Sequence, residues 1–209
     1  MINENINIDI FDKWALKNKD KGMEEGHAPS VGMMINVIKD RTNISDNNFK
    51  FLDLGCGNGW VVRKFSNDKL CQLAIGIDGS SNMIKKAKSN DKKGIYYQSK
   101  IELWNSNHTF DIIFSMETFY YLKNIDLILS DIYTNKLNAN GFIIIGIDHY
   151  LENKPSLSWE KEIGIQTQTL SIKKWVDKFK KAGFTEIEFE QIGSKKDWAG
   201  TLIISAFKK

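Results

Sequence analysis

The residues best suited to chemistry lie in one short segment, 53–59, which follows an apolar stretch and reads D-L-G-C-G-N-G. Glycine tolerates positive φ and lets a ligand approach the backbone, so three alternate glycines predict a turn that a ligand touches. The free N–H groups at the start of a following helix favour an anionic group. Asp53, two residues before the first glycine, can pair with an ammonium group. The segment therefore predicts a site for a ligand that carries both charges.

A second acid, Asp78, stands 19 positions after Gly59, at the end of another apolar run. From a strand end, its carboxylate can accept hydrogen bonds from both hydroxyls of a ribose. A dinucleotide-binding turn also combines glycines with a later acid, but Trp60 stands where its third glycine would fall and should obstruct close helix–strand packing. The pattern favours a nucleoside joined to an amino acid over a dinucleotide. A glycine-rich turn that binds no ligand is the remaining alternative.

The elements that position these residues follow from alternating apolar, β-branched runs and amphipathic stretches, which predict an α/β fold with a mainly parallel sheet. The predicted strands are 49–54, 73–77, 95–98, 110–114, 142–147, 185–191 and 201–207. The predicted helices are 30–40, 60–65, 82–88, 126–137 and 172–182. The fully apolar strand 142–147 should be central. The last two strands are predicted to form an antiparallel edge pair.

Two segments fit this alternation poorly. In residues 1–28, Phe11 and Trp14 suggest a short helix, and residues 22–27 suggest a loop. Pro29, directly after this segment, suits the first position of a helix. Residues 149–170 are likewise irregular. Because long loops in a compact domain are usually functional or disordered, we expect one domain, 1–209, with these two segments as lids.

The composition narrows the class of protein. The 209 residues carry a net charge of +3, with 42% hydrophobic and 26% charged residues, which excludes a largely disordered chain. Two cysteines exclude a disulfide scaffold or a cysteine-rich zinc site. The longest apolar run, 142–147, is too short to cross a membrane. The first four residues show no signal peptide, so a cytoplasmic protein is expected. The scattered lysines favour solvated helix faces over a nucleic-acid patch.

At residues 53–59 the sequence resembles motif I of the class I S-adenosylmethionine-dependent methyltransferases, and residues 76–78 resemble their ribose-binding acid. The likeness covers nearly the whole chain. Its other parts are the following helix (80–87), motif IV (110–117), the fifth strand with its approach (137–145) and Ala-Gly-Phe before a strand (182–184). The resemblance implies a Rossmann-like, doubly wound, mainly parallel seven-stranded sheet with an antiparallel last strand and helices on both faces. It is strongest to small-molecule enzymes such as the ubiquinone-biosynthesis methylases.

The resemblance also implies a cofactor, S-adenosylmethionine, with S-adenosylhomocysteine as product. The residues expected to bind it are Asp53, Gly55, Cys56, Gly57, Asn58, Gly59, Asp78, Gly79, Met83, Ile101 and Ser115, with Trp14 and His27 from the N-terminal lid. One departure concerns adenine. The family often has an acid after the third strand, where this chain has Lys100, so Ile101 backbone or Glu102 is expected to contact the adenine amine.

The expected acceptor is a small molecule. Exocyclic base-amine methylases place Pro-Pro-aromatic after the fourth strand, but residues 115–120 contain no proline, and neither cysteine follows one. We therefore expect no nucleic-acid or membrane partner; the oligomeric state is left open. The alternatives are a protein or tRNA methyltransferase, or a non-catalytic cofactor-binding subunit.

The candidate catalytic residues are His149, as a base just past a central strand, and Tyr121, after the fourth strand. A structural role for His149 is the open alternative, and Tyr121 either lines the pocket or only packs. Trp14 is a lid or core anchor rather than a substrate contact, whereas His27 closes over the methionine carboxylate or caps a helix. Asp148 beside His149 hints at a metal, but the sequence shows no fuller ligand set, so no metal is expected.

Overall fold

The structure, a computed structural model, describes residues 5–209, so the first four residues of the expected 1–28 lid, and the start inspected for a signal peptide, lie outside the described residues. Within 5–209 seven strands form one sheet. They are β1 (Phe49–Leu54), β2 (Cys71–Asp78), β3 (Ile95–Gln98), β4 (Phe110–Met116), β5 (Leu137–Ile147), β6 (Thr185–Ile192) and β7 (Thr201–Phe207). Their spatial order is β3-β2-β1-β4-β5-β7-β6. Strand β7 runs antiparallel to both its neighbours, β5 and β6, and the other neighbouring strands are parallel, so the last two strands form the antiparallel pair that the sequence predicts.

Helices cover both faces of the sheet, which confirms the doubly wound architecture. The helices of the described residues are α1 (Ile6–Leu16), α2 (Lys19–Arg41), α3 (Trp60–Ser66), α4 (Ser81–Asn90), α5 (Ile125–Asp131), α6 (Trp159–Ile163) and α7 (Ile172–Ala182). Helices α2, α3 and α4 share one apolar core with the sheet, and α5 and α7 share the other. Successive β5 residues alternate between these cores, because side chains on a strand alternate between the two faces. Both faces are therefore buried, as a central parallel strand requires.

The direction of winding places the candidate site. The chain passes from β1 through β2 to the edge strand β3, then returns to β4 on the other side of β1. This switch opens a crevice at the carboxyl ends of β1 and β4, where open α/β sheets bind ligands. The crevice lies directly after Asp53 and Leu54 at the end of β1.

The predicted loop at 22–27 and the predicted helix start at Pro29 are wrong. The structure has one continuous helix, α2, that includes Pro29 and the two glycines of the predicted loop, Gly22 and Gly26. Its buried residues Val31, Met34 and Ile38 pack into the core beside β5, and this tertiary packing outweighs the local cost of glycine and proline. His27 therefore lies inside a helix and does not cap one.

The predicted helix 126–137 is also too long. Helix α5 ends at Asp131 and continues as a π-helical turn, Ile132–Lys136. Strand β5 begins at Leu137, which pairs with Phe110, and its register shifts before Phe142 pairs with Ile112. Residues 140 and 141 lie inside this irregular strand, where Lys208 of the terminal segment pairs with their backbone.

The remaining elements match the predicted strands and helices to within a few residues. The irregular segment 149–170 contains a short 3₁₀ turn, Lys154–Ser158, followed by α6. No helix among residues 5–209 is both long and apolar enough to span a membrane.

Candidate functional site

A cavity of about 680 Å³ occupies the crevice. Its floor comprises the ends of β1, β2 and β4, and its cover comprises α1, α2 and part of the 149–170 segment. The lining includes most of the residues that the sequence selects for cofactor binding: Asp53, Gly55, Cys56, Gly57, Asn58, Asp78, Gly79, Met83, Ile101 and His27. Tyr121 also lines the cavity. The fold therefore brings these separate motifs to one place.

The glycine turn is held by backbone geometry that requires glycine. Gly55 has φ +82°, and a Cβ there would lie 2.0 Å from the Thr118 hydroxyl oxygen. Gly55 and Cys56 both donate their N–H groups to the Ile77 carbonyl, at 2.8 and 2.9 Å, which ties the turn to β2. Gly57 has φ +53°, and a Cβ there would meet nothing within 4 Å, so its backbone borders open space. The turn leaves room for a ligand over Gly57.

Gly59, which the sequence also selects for cofactor binding, lies outside the cavity lining. It precedes α3 with φ +78°, and a Cβ there would come within 2.5 Å of the Tyr96 ring. Its small size permits close packing of the turn on α4 and β3. Trp60, which follows it, does line the cavity.

The two acids stand at the ends of neighbouring strands. The Asp78 carboxylate accepts hydrogen bonds from Gly57 N–H at 2.9 Å and Ser80 N–H at 2.8 Å. Burial raises the pKa of Asp53 well above its ordinary value, and the charge of Asp78 raises it further. Burial also raises the pKa of Asp78, more than its two backbone hydrogen bonds lower it. A ligand that brings an ammonium group and hydroxyl donors would offset this cost of burying two acids together.

Ser115 does not reach the cavity lining. Its hydroxyl donates to the Leu54 carbonyl at 2.6 Å, which joins β4 to β1, while its neighbours Phe114 and Met116 line the cavity. Trp14 also lies outside the lining. Its ring packs edge-on against Phe11 at 5.4 Å between centroids, and it is Phe11 that faces the cavity. The position of Trp14 fits the lid anchor that the sequence allowed.

The far end of the cavity contains Glu117 and Tyr121. Glu117 has φ +56°, and its carboxylate accepts from Tyr120 hydroxyl at 2.6 Å and from Asp148 N–H at 2.5 Å. The Tyr120 and Tyr121 hydroxyls lie 3.0 Å apart, so a hydrogen-bonded chain leads from Glu117 to the cavity. Burial raises the pKa of Tyr121, and the charge of Glu117 adds to this, so its hydroxyl stays protonated near neutral pH.

His149 has no place at the cavity in this structure. Its side chain is buried, Nδ1 lies 3.0 Å from the Ser156 carbonyl, and Nε2 lies 2.8 Å from Thr169 Oγ1 and 3.0 Å from Thr167 Oγ1. Burial lowers its pKa. This geometry supports the structural alternative, in which His149 holds the 149–170 segment together. That segment reaches the cavity through Gln166, Thr167 and Gln168.

Sequence reasoning missed two acids that fix the cover. Asp12 accepts hydrogen bonds from Ser80 and Asn82, so it joins α1 to the start of α4. Asp20 accepts from Asn58 of the glycine turn at 3.2 Å and pairs with Lys86 at 2.6 Å. Each contact joins residues more than 30 positions apart, and a lone acid on a helix carries no spacing signal.

Comparison with known proteins agrees with this geometry. Residues 52–145 match the methyltransferase domain family. The chain is 28% identical over 136 residues to a malonyl-[acyl-carrier protein] O-methyltransferase of Bacillus anthracis, covering 62% of this chain and 50% of that protein. It is 29% identical over 154 residues to a ubiquinone biosynthesis O-methyltransferase of Pelagibacter ubique, covering 60% of this chain and 62% of that protein. The chain thus spans about half to three-fifths of the length of these relatives.

Solved structures share the fold. A chain of the complex between the Haloferax volcanii Trm112 methyltransferase activator and a methyltransferase superposes with a TM-score of 0.79 at 23% identity, covering 95% of this chain and 97% of that one. The DhpI–S-adenosylhomocysteine complex superposes with a TM-score of 0.73 at 13% identity, covering 97% of this chain and 95% of that one. In sequence and in fold, this chain is therefore similar to the S-adenosylmethionine-dependent methyltransferases, whose cofactor is S-adenosylmethionine.

Proposed function

We propose that the protein transfers the methyl group of S-adenosylmethionine to a small molecule bound at the Tyr121 end of the cavity. The observation that carries the proposal is the continuity of one covered cavity from the glycine turn to Tyr121. Helices α1 and α2 lie over this cavity, which suits a small acceptor better than a macromolecular surface. The name of the ubiquinone biosynthesis relative is compatible with a small acceptor, whereas the malonyl-[acyl-carrier protein] relative is named for an acceptor attached to a protein.

The residues present fit the cofactor. Asp53 would pair with the ammonium group and Asp78 would accept from the ribose hydroxyls, which suits a buried acid and a half-buried acid beside an open glycine backbone. Met83 and Ile101 would flank the adenine. When bound, S-adenosylmethionine supplies an electrophilic methyl group on a sulfonium leaving group.

The residues of the chain itself position the acceptor and exclude water from the cavity. Methyl transfer needs the acceptor in line with the methyl–sulfur bond, and holding two reactants in that arrangement provides much of the acceleration. The Tyr121 hydroxyl, fixed through Tyr120 to Glu117, is placed to orient the acceptor. Phe11 packs against the Tyr121 ring at 5.3 Å and covers it from α1.

The test begins with binding and then separates acceptor classes. Calorimetry should show S-adenosylhomocysteine binding in the micromolar range, roughly −8 kcal/mol. The purified chain is then incubated with methyl-tritiated S-adenosylmethionine and three acceptor fractions: small metabolites, protein and RNA. Label should enter the small-metabolite fraction. Label confined to protein or RNA would overturn the acceptor class, and calorimetry showing no S-adenosylhomocysteine binding would overturn the activity itself.

Tyr121→Phe separates positioning from binding. We expect it to lower kcat by roughly 10²-fold while leaving the affinity for S-adenosylhomocysteine nearly unchanged, because the ring stays and only the orienting hydroxyl is lost. Tyr133→Phe, which removes a hydroxyl that lies outside the cavity lining and donates to the Lys209 carbonyl, is the matched control. Equal kcat values for wild type and Tyr121→Phe would remove Tyr121 from the mechanism.

A further inference from the structure

Three side chains from distant parts of the sequence converge at the end of the cavity. His27 lies on α2, Glu117 follows β4 and Asp148 follows β5, and one donor atom from each lies within 4.8 Å of the other two. His27 and Glu117 line the cavity. From this cluster we infer that His27, Glu117 and Asp148 form a binding site for a divalent metal ion.

The fold brings these ligands together by close packing of α2 on β5. Met116 pairs with Gly146 across the parallel strands β4 and β5, so Glu117 and Asp148 emerge from neighbouring strand ends. A Cβ on Gly146 would lie 2.8 Å from the Met34 sulfur of α2. Since His27 precedes Met34 by seven residues, or about two helical turns, both face β5. The glycine thus lets α2 approach closely enough to add His27 to the two acids.

Glu117 is held in a fixed orientation before any ion binds. Its backbone occupies the left-handed region, which is uncommon for a residue with a side chain, at φ +56°. One carboxylate oxygen accepts from Asp148 N–H and the other from the Tyr120 hydroxyl. Each oxygen keeps a lone pair for a further interaction. Such hydrogen bonds to a carboxylate are what orient metal ligands in known sites.

The Asp148 carboxylate provides independent evidence that a ligand binds here, because one of its oxygens has no hydrogen-bond partner among the described residues. The residue is 8% exposed, and among residues 5–209 its Oδ1 atom has no hydrogen-bond partner. A buried carboxylate oxygen without a partner is costly, and the cost rises when a second acid lies beside it. A bound cation would satisfy this oxygen and neutralise the charge that Glu117 and Asp148 share.

The donor set indicates which ions fit. Two carboxylate oxygens and one imidazole nitrogen suit first-row divalent ions such as Mn²⁺ and Zn²⁺ better than soft metals, because the set contains no thiolate. Three protein ligands leave coordination positions open, as in catalytic metal sites. Cation binding here is independent of which methyl acceptor the cavity takes, so it can be measured without substrate.

The experiment is a Mn²⁺ titration of the full chain after treatment with a chelator, followed by electron paramagnetic resonance of the free ion. We expect one bound Mn²⁺ per chain, and an affinity at least about tenfold weaker in Asp148→Asn and in His27→Ala. Zn²⁺ should displace the bound Mn²⁺. Glu24→Gln, which removes a different carboxylate from the same cavity, should retain wild-type Mn²⁺ affinity.

Thermal unfolding of each variant supplies the second readout. Mn²⁺ should raise the Tm of the wild type and of Glu24→Gln but not that of Asp148→Asn, since only an ion bound to the folded state stabilises it. The inference is overturned if the wild type binds no Mn²⁺ up to about 1 mM, the weak end of protein cation sites. It is equally overturned if Asp148→Asn and His27→Ala bind Mn²⁺ as tightly as the wild type.

Discussion

At the scale of single residues, Asp78 lies where the glycine turn meets the cavity. Its carboxylate already accepts from Gly57 and Ser80 and still borders the cavity. We predict that Asp78→Ala weakens S-adenosylhomocysteine binding by roughly 1.5–3 kcal/mol, because charged hydrogen bonds to ribose hydroxyls are lost. Isothermal calorimetry measures the change. Asp177→Ala, on the exposed face of α7, is the control, and an unaltered affinity in Asp78→Ala would refute the assignment.

His149 gives a contrasting prediction at the same scale. Because both ring nitrogens have partners in the 149–170 segment, His149→Ala should lower the free energy of unfolding by about 1–3 kcal/mol, the cost of leaving buried polar groups unpaired. Urea unfolding followed by circular dichroism measures this. A general base would behave differently. Loss of turnover by roughly 10²–10⁴ with unchanged stability would restore the catalytic role that the sequence allows.

At the scale of elements, docking of α1 on α4 depends on one carboxylate. Burial alone would raise the pKa of Asp12, but hydrogen bonds from Asn82 N–H and from Ser80, Ser81 and the Asn82 amide outweigh it, so the pKa lies below its ordinary value. A lowered folded-state pKa gives stability that is present above the unfolded pKa of about 3.9 and lost as pH falls through the folded value.

The wild type should therefore lose its stability advantage over Asp12→Asn as pH falls below about 3.9 and through the lower folded-state pKa, since the folded carboxylate then becomes protonated. Urea unfolding of both proteins at each pH measures the difference. Since every other titrating group is common to both, the comparison isolates Asp12. A constant difference across this range would show that Asp12 does not fix α1 through its charge.

The N-terminal cover gives a second prediction about elements. The two core clusters, as the described residues define them, contain no α1 residue, whereas α2 contributes Val31, Met34 and Ile38. Deletion of residues 1–18 should therefore leave the fold intact and weaken S-adenosylhomocysteine binding by about tenfold, or ~1.4 kcal/mol, because water then enters the cavity. Circular dichroism and calorimetry measure both. Full cofactor affinity in the truncated chain would refute the lid.

At the scale of the whole molecule, charge sets the expected partners. The net charge of +3 is small for 209 residues, and several lysines are paired with acids: Lys86, Lys136, Lys173, Lys178, Lys181 and Lys209. We predict no tight binding to RNA or DNA, because non-specific phosphate contacts fade at about 200 mM salt. A mobility shift that persists at that salt would contradict this and favour the tRNA alternative.

The sequence alone determined the sheet and the glycine-turn half of the cavity. Local patterns suffice for both, since strands such as 142–147 are apolar on two faces and the glycine turn, Asp53 and Asp78 are set by spacing along one β-α-β unit. Local signals failed where long-range packing decided the outcome. The 22–29 segment contains glycine and proline, yet it is helical because Met34 and Ile38 anchor it in the core.

Only the tertiary structure decided the far end of the cavity. His149 follows a central strand, where a base could lie, but both its ring nitrogens are hydrogen-bonded to its neighbours Ser156, Thr167 and Thr169. The sequence shows Asp148 without a fuller ligand set, whereas the folded chain brings His27 and Glu117 to it from 121 and 31 positions away. The spacing of residues along the sequence predicts contacts within one strand–turn–helix unit. Contacts between α2 and the ends of β4 and β5 depend on how separate elements pack, and no local pattern encodes that.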